Sequence, residues 1–432
     1  MALAPAALPP TFAVVVRAVG RTAPSEWRCD GSSWCCSELR SPSRVLWGKP
    51  KTARVLTLSV AAALLLLTAC VAQTPATPSP PTPPTAQPST PAPTPLRTAA
   101  PTPTPTAAAT SPAASMPRGR VDPLLVVEVN DAASVSPGTT LLPVQVENPR
   151  IVEVNTLGEV VWEYLIPDAL KRYTNPGFDV ELLPNNNVLF VLPGNGVYEI
   201  ERSGRVVWSY LTTKISHDAD RLPNGNTILV FGNSDTKADA QVVEVDPRGQ
   251  RVWTWYARDT FDKPPYSDIS DEGWTHTNAV QRLSNGNTQI SLRNFRIVVE
   301  VDPQGAVVKT LGEGILDGAH DPTRLSNGNL LAASQNMLPE NRGKPQRAVE
   351  LDGATGAVVW EFPMPFASWP VRDANRLPNG NTLITGSTAI VEVTPQKTVV
   401  WRLRLNRTIQ PGVQSAGRGF YKAERIGTPV SP

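Results

Sequence analysis

The sequence predicts an all-β fold: a six-bladed β-propeller of four-stranded antiparallel blades, with the ring closed between N- and C-terminal strands. Three observations carry this. A phrase built on Asn-Gly-Asn recurs: ELLPNNNVLF (Glu181–Phe190), DRLPNGNTIL (Asp220–Leu229), QRLSNGNTQI (Gln281–Ile290), TRLSNGNLLA (Thr323–Ala332) and NRLPNGNTLI (Asn375–Ile384). Each is followed by a second phrase of the kind VVEVDPRGQRVW (Val242–Trp253). The ends of the region supply the pieces of one more unit, Thr139–Glu147 and Arg150–Tyr164 without a first strand and Tyr421–Ile426 as a first strand alone.

Each unit reads as strands A to D of a meander. Strand A ends in Arg-Leu-Pro. Asn-Gly between alternating apolar runs is a hairpin signal, and a two-residue type I′ turn is expected there because both central residues need positive φ. Strand B begins at Asn-Thr, strand C is Val-Val-Glu-Val, and strand D follows an Asp-Pro-x-Gly turn and ends in Trp. Repeats of roughly 40 to 60 residues with four strands each indicate propeller blades, with strand A nearest the axis. Completing one blade from both termini leaves no free sheet edge.

The chain before the repeats reads as address and tether. Residues 1–44 are expected to be a mis-assigned start or disordered. Residues 45–70 read as a signal peptide: Lys49, Lys51 and Arg54 precede the apolar run Val55–Ala69, which is short for a spanning helix. The run ends in Leu67-Thr68-Ala69-Cys70, which resembles the bacterial lipoprotein box. That resemblance implies lipidation of Cys70 and export to the cell envelope, anchored to a membrane. Residues 71–120 form a Pro/Thr-rich linker, holding fifteen prolines between Pro75 and Pro117. Such a stretch buries no core and stays extended. Residues 121–432 are the propeller.

Composition narrows the function. Lys and Arg total 40 against 38 Asp and Glu, so no basic surface excess points to nucleic acid. All four cysteines lie at or before Cys70, leaving the propeller without a disulfide, a thiol nucleophile or a Cys-based metal site. No Gly-rich phosphate loop is present.

The meander puts the Asn-Gly and Asp-Pro-x-Gly turns on one face and the variable insertions on the other, among them Asn233–Ala240 and Arg258–Trp274. Variable loops on a rigid scaffold are where function usually sits. The residue five before the repeated Leu (Ile426 in the last case) is Phe178, His217, Asn278, His320, Arg372 and Tyr421. These share a register and should ring the axial opening at the loop face. His276, two residues before Asn278, points the same way by the period of two. With Asn285-Gly286 as the turn, Asn278 is expected opposite Arg293. By contrast Arg221, Arg282, Arg324, Arg376 and Arg425 repeat at one position, and Asp179, Asp218, Asp321 and Asp373 at another. Such repetition reads as structural.

All three histidines of the chain thus face one opening, beside an amide and the guanidiniums of Arg293 and Arg372. The set suits an anion. It carries no carboxylate pair for glycoside hydrolysis, and the neighbouring Arg charges oppose a metal cation. The aromatic residues Phe178, Tyr421, Phe261, Tyr266 and Trp274 are candidates to stack on an aryl ring.

Three segments carry a resemblance: SHDADRLPNGNT (Ser216–Thr227), WTHTNAVQRLSNGNTQISLRN (Trp274–Asn294) and AHDPTRLSNGNL (Ala319–Leu330). Here the chain resembles the bacterial arylsulfotransferase family, most specifically in His276-x-Asn278 and Ser291-x-Arg293. The resemblance implies transfer of a sulfuryl group from an aryl sulfate ester to a phenol through a sulfohistidine, with no nucleotide donor and no cofactor. It implies His320 as nucleophile, with His217, His276, Asn278 and Arg293 holding the sulfuryl oxygens and assisting proton transfer. Arg372, Tyr421, Phe178 and Trp274 are the expected substrate-binding set. The alternatives are a non-catalytic envelope propeller serving as scaffold or ligand-binding module, and a quinone-cofactor dehydrogenase, whose docking repeat Glu350–Phe362 resembles only once.

Overall fold

A computed structural model describes residues 118–146, 148–175, 177–268, 272–365, 369–406 and 418–427. The expected signal peptide, the lipidation residue Cys70 and the linker up to Pro117 lie outside them, as do residues 407–417. Among the described residues no helix is long and apolar enough to cross a membrane.

Six antiparallel sheets form the six blades. Blades II to V run A to D in chain order: Val180–Leu182 to Val206–Leu211, Ala219–Arg221 to Arg251–Trp255, Thr277–Arg282 to Val307–Leu311, and Ala319–Arg324 to Val358–Pro363. Blade VI runs from Val371–Arg376 to Val399–Leu405. Blade I takes strands B to D from Thr139–Val144, Arg150–Asn155 and Glu159–Leu165, and strand A from Glu424–Ile426 at the other end of the chain. The terminal closure expected from the sequence is present.

Two further strands strengthen it. Leu125–Asn130 adds a fifth strand outside Val399–Leu405 in blade VI, and Arg120–Val121 adds one outside Glu159–Leu165 in blade I. No turn motif signals either of them, because each pairs with a distant segment.

The turns correct the sequence reading. Strands A and B pair Arg282 with Thr288, and Leu283 N–H donates to Asn287 while Gly286 N–H donates back to Leu283. Only the third loop residue has positive φ: Gly225, Gly286, Gly328 and Gly380, and Asn186 in blade II. This is a three-residue loop with a bulged glycine, not a two-residue type I′ turn. Asn tolerates the left-handed region better than most residues, which explains Asn186.

Apolar packing sits in the seams between blades. Six buried clusters each draw on two consecutive blades. Strand B residues are buried on both faces in every blade.

A polar collar crosses the same seams. The repeated arginine of strand A pairs with the strand C glutamate of the preceding blade: Arg221–Glu199 at 3.0 Å, Arg282–Glu244 at 2.6 Å, Arg324–Glu300 at 3.1 Å, Arg376–Glu350 at 2.5 Å and Arg425–Glu392 at 3.0 Å. Blade II has Leu182 at this position, and Arg202 reaches Glu153 instead, at 2.6 Å. Strand D Trp side chains donate to the C–D turn of the next blade, from Trp162 to the Arg202 carbonyl at 2.8 Å and from Trp208 to that of Pro247 at 3.0 Å. Lys309 replaces the Trp in blade IV and donates to the Gly353 carbonyl. The structural reading of the repeated arginines therefore holds.

Candidate active site

Strand A of each blade carries the axial residues, and local bulges aim them. The pairing register shifts across Asn278 in blade IV, across Arg372 in blade VI, and between His320 and Thr323 in blade V. A bulge turns a side chain away from the regular alternation. His276 stands at φ 48° and Asp321 at φ 47°, both costly for ordinary residues. Asp235 fixes the first of these: its carboxylate accepts the backbone N–H groups of Thr275 and His276, each bond to Oδ1 being 3.1 Å.

The three histidines are brought together. His217 Nε2 lies 3.0 Å from His276 Nε2. The His217 and His320 rings stack at 6.2 Å between centroids, tilted by 24°. His320 Nε2 lies 3.1 Å from Tyr421 Oη, and the Arg372 guanidinium sits 4.8 Å over the Tyr421 ring. One tautomer chain follows. The Glu272 carbonyl only accepts, so His276 Nδ1, 2.9 Å away, carries hydrogen. A neutral His276 then accepts at Nε2, His217 donates from Nε2, and the lone pair of His217 is left on Nδ1. That nitrogen is buried without a hydrogen-bond partner, as are His320 Nδ1 and Asn278 Oδ1. Gly177, at φ 103°, leaves room for it; a Cβ there would stand 2.4 Å from His217 Nδ1.

Asn278 donates to the Ala319 carbonyl at 3.1 Å, as does Ser291 Oγ at 3.1 Å. Arg293 does not sit opposite Asn278. The longer turn shifts the register, Leu292 pairs with Thr277, and Arg293 opens a short 3-10 turn beyond the strand. Its guanidinium pairs with the Glu272 carboxylate, and its Nε lies 3.4 Å from Gln335 Oε1.

Two expected substrate-binding residues are placed elsewhere. Phe178 packs edge-on against Phe190 at 6.1 Å in the seam between blades I and II. Trp274 packs against Phe295 at 5.4 Å in the seam between blades III and IV and donates its indole N–H to the Tyr266 carbonyl. Both are fully buried, with their ring contacts made to the aromatic neighbours of those seams. Phe261 and Tyr266 belong to the same seam as Trp274.

The residue after each ring position forms a second layer. Lys422 stands in that register, and its Nζ lies 3.3 Å from Asp179, 2.6 Å from Asp218 and 3.0 Å from Asp321. Asp218 also accepts from Val280 N–H at 2.6 Å, and Asp373 from Ala423 N–H at 3.2 Å. These aspartates tie blades together, as their repetition suggested.

Electrostatics set the protonation states. Burial lowers the His217 imidazole well below its usual range, with His276, His320 and both arginines adding to it. Burial and then Arg372, Lys422 and Arg293 do the same for His320. His276 is lowered to about 4, by burial and then Arg293. All three are neutral at pH 7. Burial raises the Tyr421 phenol, keeping it protonated. Burial works against the Lys422 ammonium, but Asp179, Asp218 and Asp321 together hold it charged.

Chemically, the pocket offers unprotonated imidazole nitrogens beside fixed cations, with no carboxylate on the histidine layer's ring positions. Nucleophilic displacement on an anionic group fits that set. Among the described residues, no three His, Cys, Asp or Glu side chains are arranged to hold a metal ion.

Residues 127–315 match the family profile described as Arylsulfotransferase (ASST). Over that stretch the chain is similar to the arylsulfotransferase family. The match supports aryl sulfotransfer as the class of reaction. No curated protein matches the chain. Solved structures that are similar include a protein of unknown function from Bacteroides caccae, at 18% identity over 63% of this chain and 95% of that one, TM-score 0.46. Virginiamycin B lyase from Staphylococcus aureus is 11% identical over 64% of this chain and 87% of that one, TM-score 0.39. At such levels neither likeness bears on function.

Three features of the site escaped sequence reasoning. Lys422 had a signal, since it fills the position held elsewhere by Asp179, Asp218, Asp321 and Asp373. Glu272 and Asp235 had none, because they sit in loops outside any repeat.

Proposed function

We propose that this propeller moves a sulfuryl group from an aryl sulfate ester to a phenol through a sulfohistidine at His320, without a nucleotide donor or cofactor. The observation that carries this is the convergence of three buried, neutral imidazoles with two guanidiniums inside a chain similar to the arylsulfotransferase family.

In the first half, the lone pair of His320 attacks sulfur, an N–S bond forms, and the S–O(aryl) bond breaks with its electrons going to the departing phenolate. The sulfated ring sheds its remaining N–H proton, which balances the proton taken up by the phenolate. In the second half, an acceptor phenol attacks the same sulfur, gives up its proton, and the N–S bond breaks, returning neutral His320. Arg293 and Arg372 are placed to stabilise charge spread over the sulfuryl oxygens, as in phosphoryl transfer. The hydrogen-bonded pair His217–His276 supplies a donor and an acceptor for the moving proton. Glu272 holds Arg293 until an anionic substrate competes for it.

Incubation with p-nitrophenyl sulfate and phenol tests the reading. Continuous nitrophenol release, beyond one equivalent per site, that requires phenol and falls by ~10³-fold or more in His320→Ala is expected. Release that survives His320→Ala removes the nucleophile, and no release with any aryl sulfate leaves a non-catalytic, ligand-holding propeller. We further propose that the protein is exported and lipid-anchored through Cys70. Fatty-acid labelling that persists in Cys70→Ser would refute the anchor.

A further inference from the structure

Gln145 directly follows strand B of blade I. It is 5% exposed, and both its side-chain nitrogen and its side-chain oxygen are buried without a hydrogen-bond partner. A buried amide unpaired at both ends is costly and rare in a folded protein. The repeat does not require it, because the equivalent position holds Pro193, Gly232, Arg293 and Ser387 in four other blades and a second Gln, Gln335, only in blade V.

The register says where it stands. In blade IV, Leu292 pairs with Thr277, Arg293 follows Leu292 and Asn278 follows Thr277. In blade I, Val144 bridges Phe420, Gln145 follows Val144 and Tyr421 follows Phe420. Gln145 N–H donates to the Gly419 carbonyl at 2.8 Å, continuing that pairing. Gln145 therefore occupies in blade I the place that Arg293 holds in blade IV. The blade V equivalent is Gln335, which follows Ser334, the partner of Ala319. Arg293 Nε and Gln335 Oε1 approach to 3.4 Å, so in blades IV and V this position meets across the seam at the loop end of strand B.

The donor set decides the ligand class. Guanidiniums only donate, which suits sulfuryl oxygens that only accept. An amide carbonyl needs a donor, and its NH₂ needs an acceptor. A phenolic hydroxyl is both. We propose that Gln145 is a substrate-holding residue for the hydroxyl of the acceptor phenol, its carbonyl taking the O–H and its NH₂ meeting the phenolic oxygen. The assignment rests on the sulfotransfer reading above.

The test uses Gln145→Leu, close in volume and without polar atoms, and separates the half-reactions. With p-nitrophenyl sulfate and no acceptor, the single-turnover burst of nitrophenol should match wild type. With phenol present, kcat/KM for phenol should fall ~10-fold or more, as expected when one partner of a buried hydrogen bond is removed. Thermal denaturation should show an unchanged or raised Tm, because two unpaired groups leave the interior. Wild-type turnover of phenol by Gln145→Leu overturns the assignment. So does a lowered Tm, which would mean that the amide has a structural partner. A wild-type protein showing no burst with any aryl sulfate would fail the sulfotransfer reading itself and the acceptor role with it, while the Tm still shows whether the amide is structural.

Discussion

The interblade collar and the axial mouth are built from the same six strands, yet they obey opposite rules. In the collar each blade solves one problem in one way: arginine to glutamate, indole to turn carbonyl. Where a blade lacks the standard residue, another fills the role, as Arg202 does for Leu182 and Lys309 for a Trp. In the mouth no two neighbouring blades present the same side chain at the ring position. Uniformity with substitutes marks what the ring needs to stand. Irregularity marks what it uses on something else.

The comparison can be broken where the two regions meet. Lys422 lies one residue from Tyr421 and balances Asp179, Asp218 and Asp321. Lys422→Met should cost both stability, by about 3–5 kcal/mol in urea unfolding, and activity, because the charge acting on His320 is gone. A variant of normal stability would show that the aspartate layer holds itself together.

Next in size is the collar alone. The side chains of Arg425 and Glu392 are 1% and 0% exposed, so Arg425→Ala leaves a buried carboxylate and should destabilise by about 3 kcal/mol. Transfer per folded molecule should be unchanged. Arg205→Ala, at a surface pair with Glu201, is the control and should shift Tm little.

Acid should separate the regions too. The mouth histidines are depressed in the fold, so below about pH 6.5 the unfolded chain takes up protons first. Stability is therefore full above that pH and drains as pH falls toward the folded value. For His276, lowered to about 4, the window removes on the order of 3 kcal/mol. A three-histidine variant should lose this dependence while the collar variant keeps it. The acid limb of kcat/KM should likewise fall well below pH 6.5.

The smallest effect concerns Glu272, which holds Arg293. Glu272→Gln leaves the carbonyl that His276 uses and frees the guanidinium. KM for the aryl sulfate should drop by ~5-fold, the worth of a partly exposed pair. A raised KM would mean that Glu272 orients Arg293 for the substrate and does not compete with it.

How much of this was legible follows the same division. Blade number, strand order and the histidine ring could be read because repeats fix register, and register fixes which side chains share a layer. The turn type was misread because Asn285-Gly286 fits both a two-residue and a three-residue loop, and only the pairing of Arg282 with Thr288 decides. That one-residue difference moved Arg293 from opposite Asn278 to beyond the strand. Phe178 and Trp274 share the mouth's sequence neighbourhood, but a large apolar ring gains more from a seam than from a wet opening. Glu272 and Asp235 act through loop geometry, which no periodicity encodes.

Closure between the chain ends also governs the order of assembly. Strands of blade I at Thr139–Leu165 are synthesised before those of blades II to VI, but their inner partner, Glu424–Ile426, is synthesised after them. Blade VI likewise waits to receive Leu125–Asn130 along its outer edge. The first blade made is therefore the last finished. Joining segments so far apart carries a loop-closure penalty that no local contact offsets. A nascent chain stalled before residue 424 holds an open arc with an unpaired inner edge, and that arc is the species a chaperone or a protease would meet.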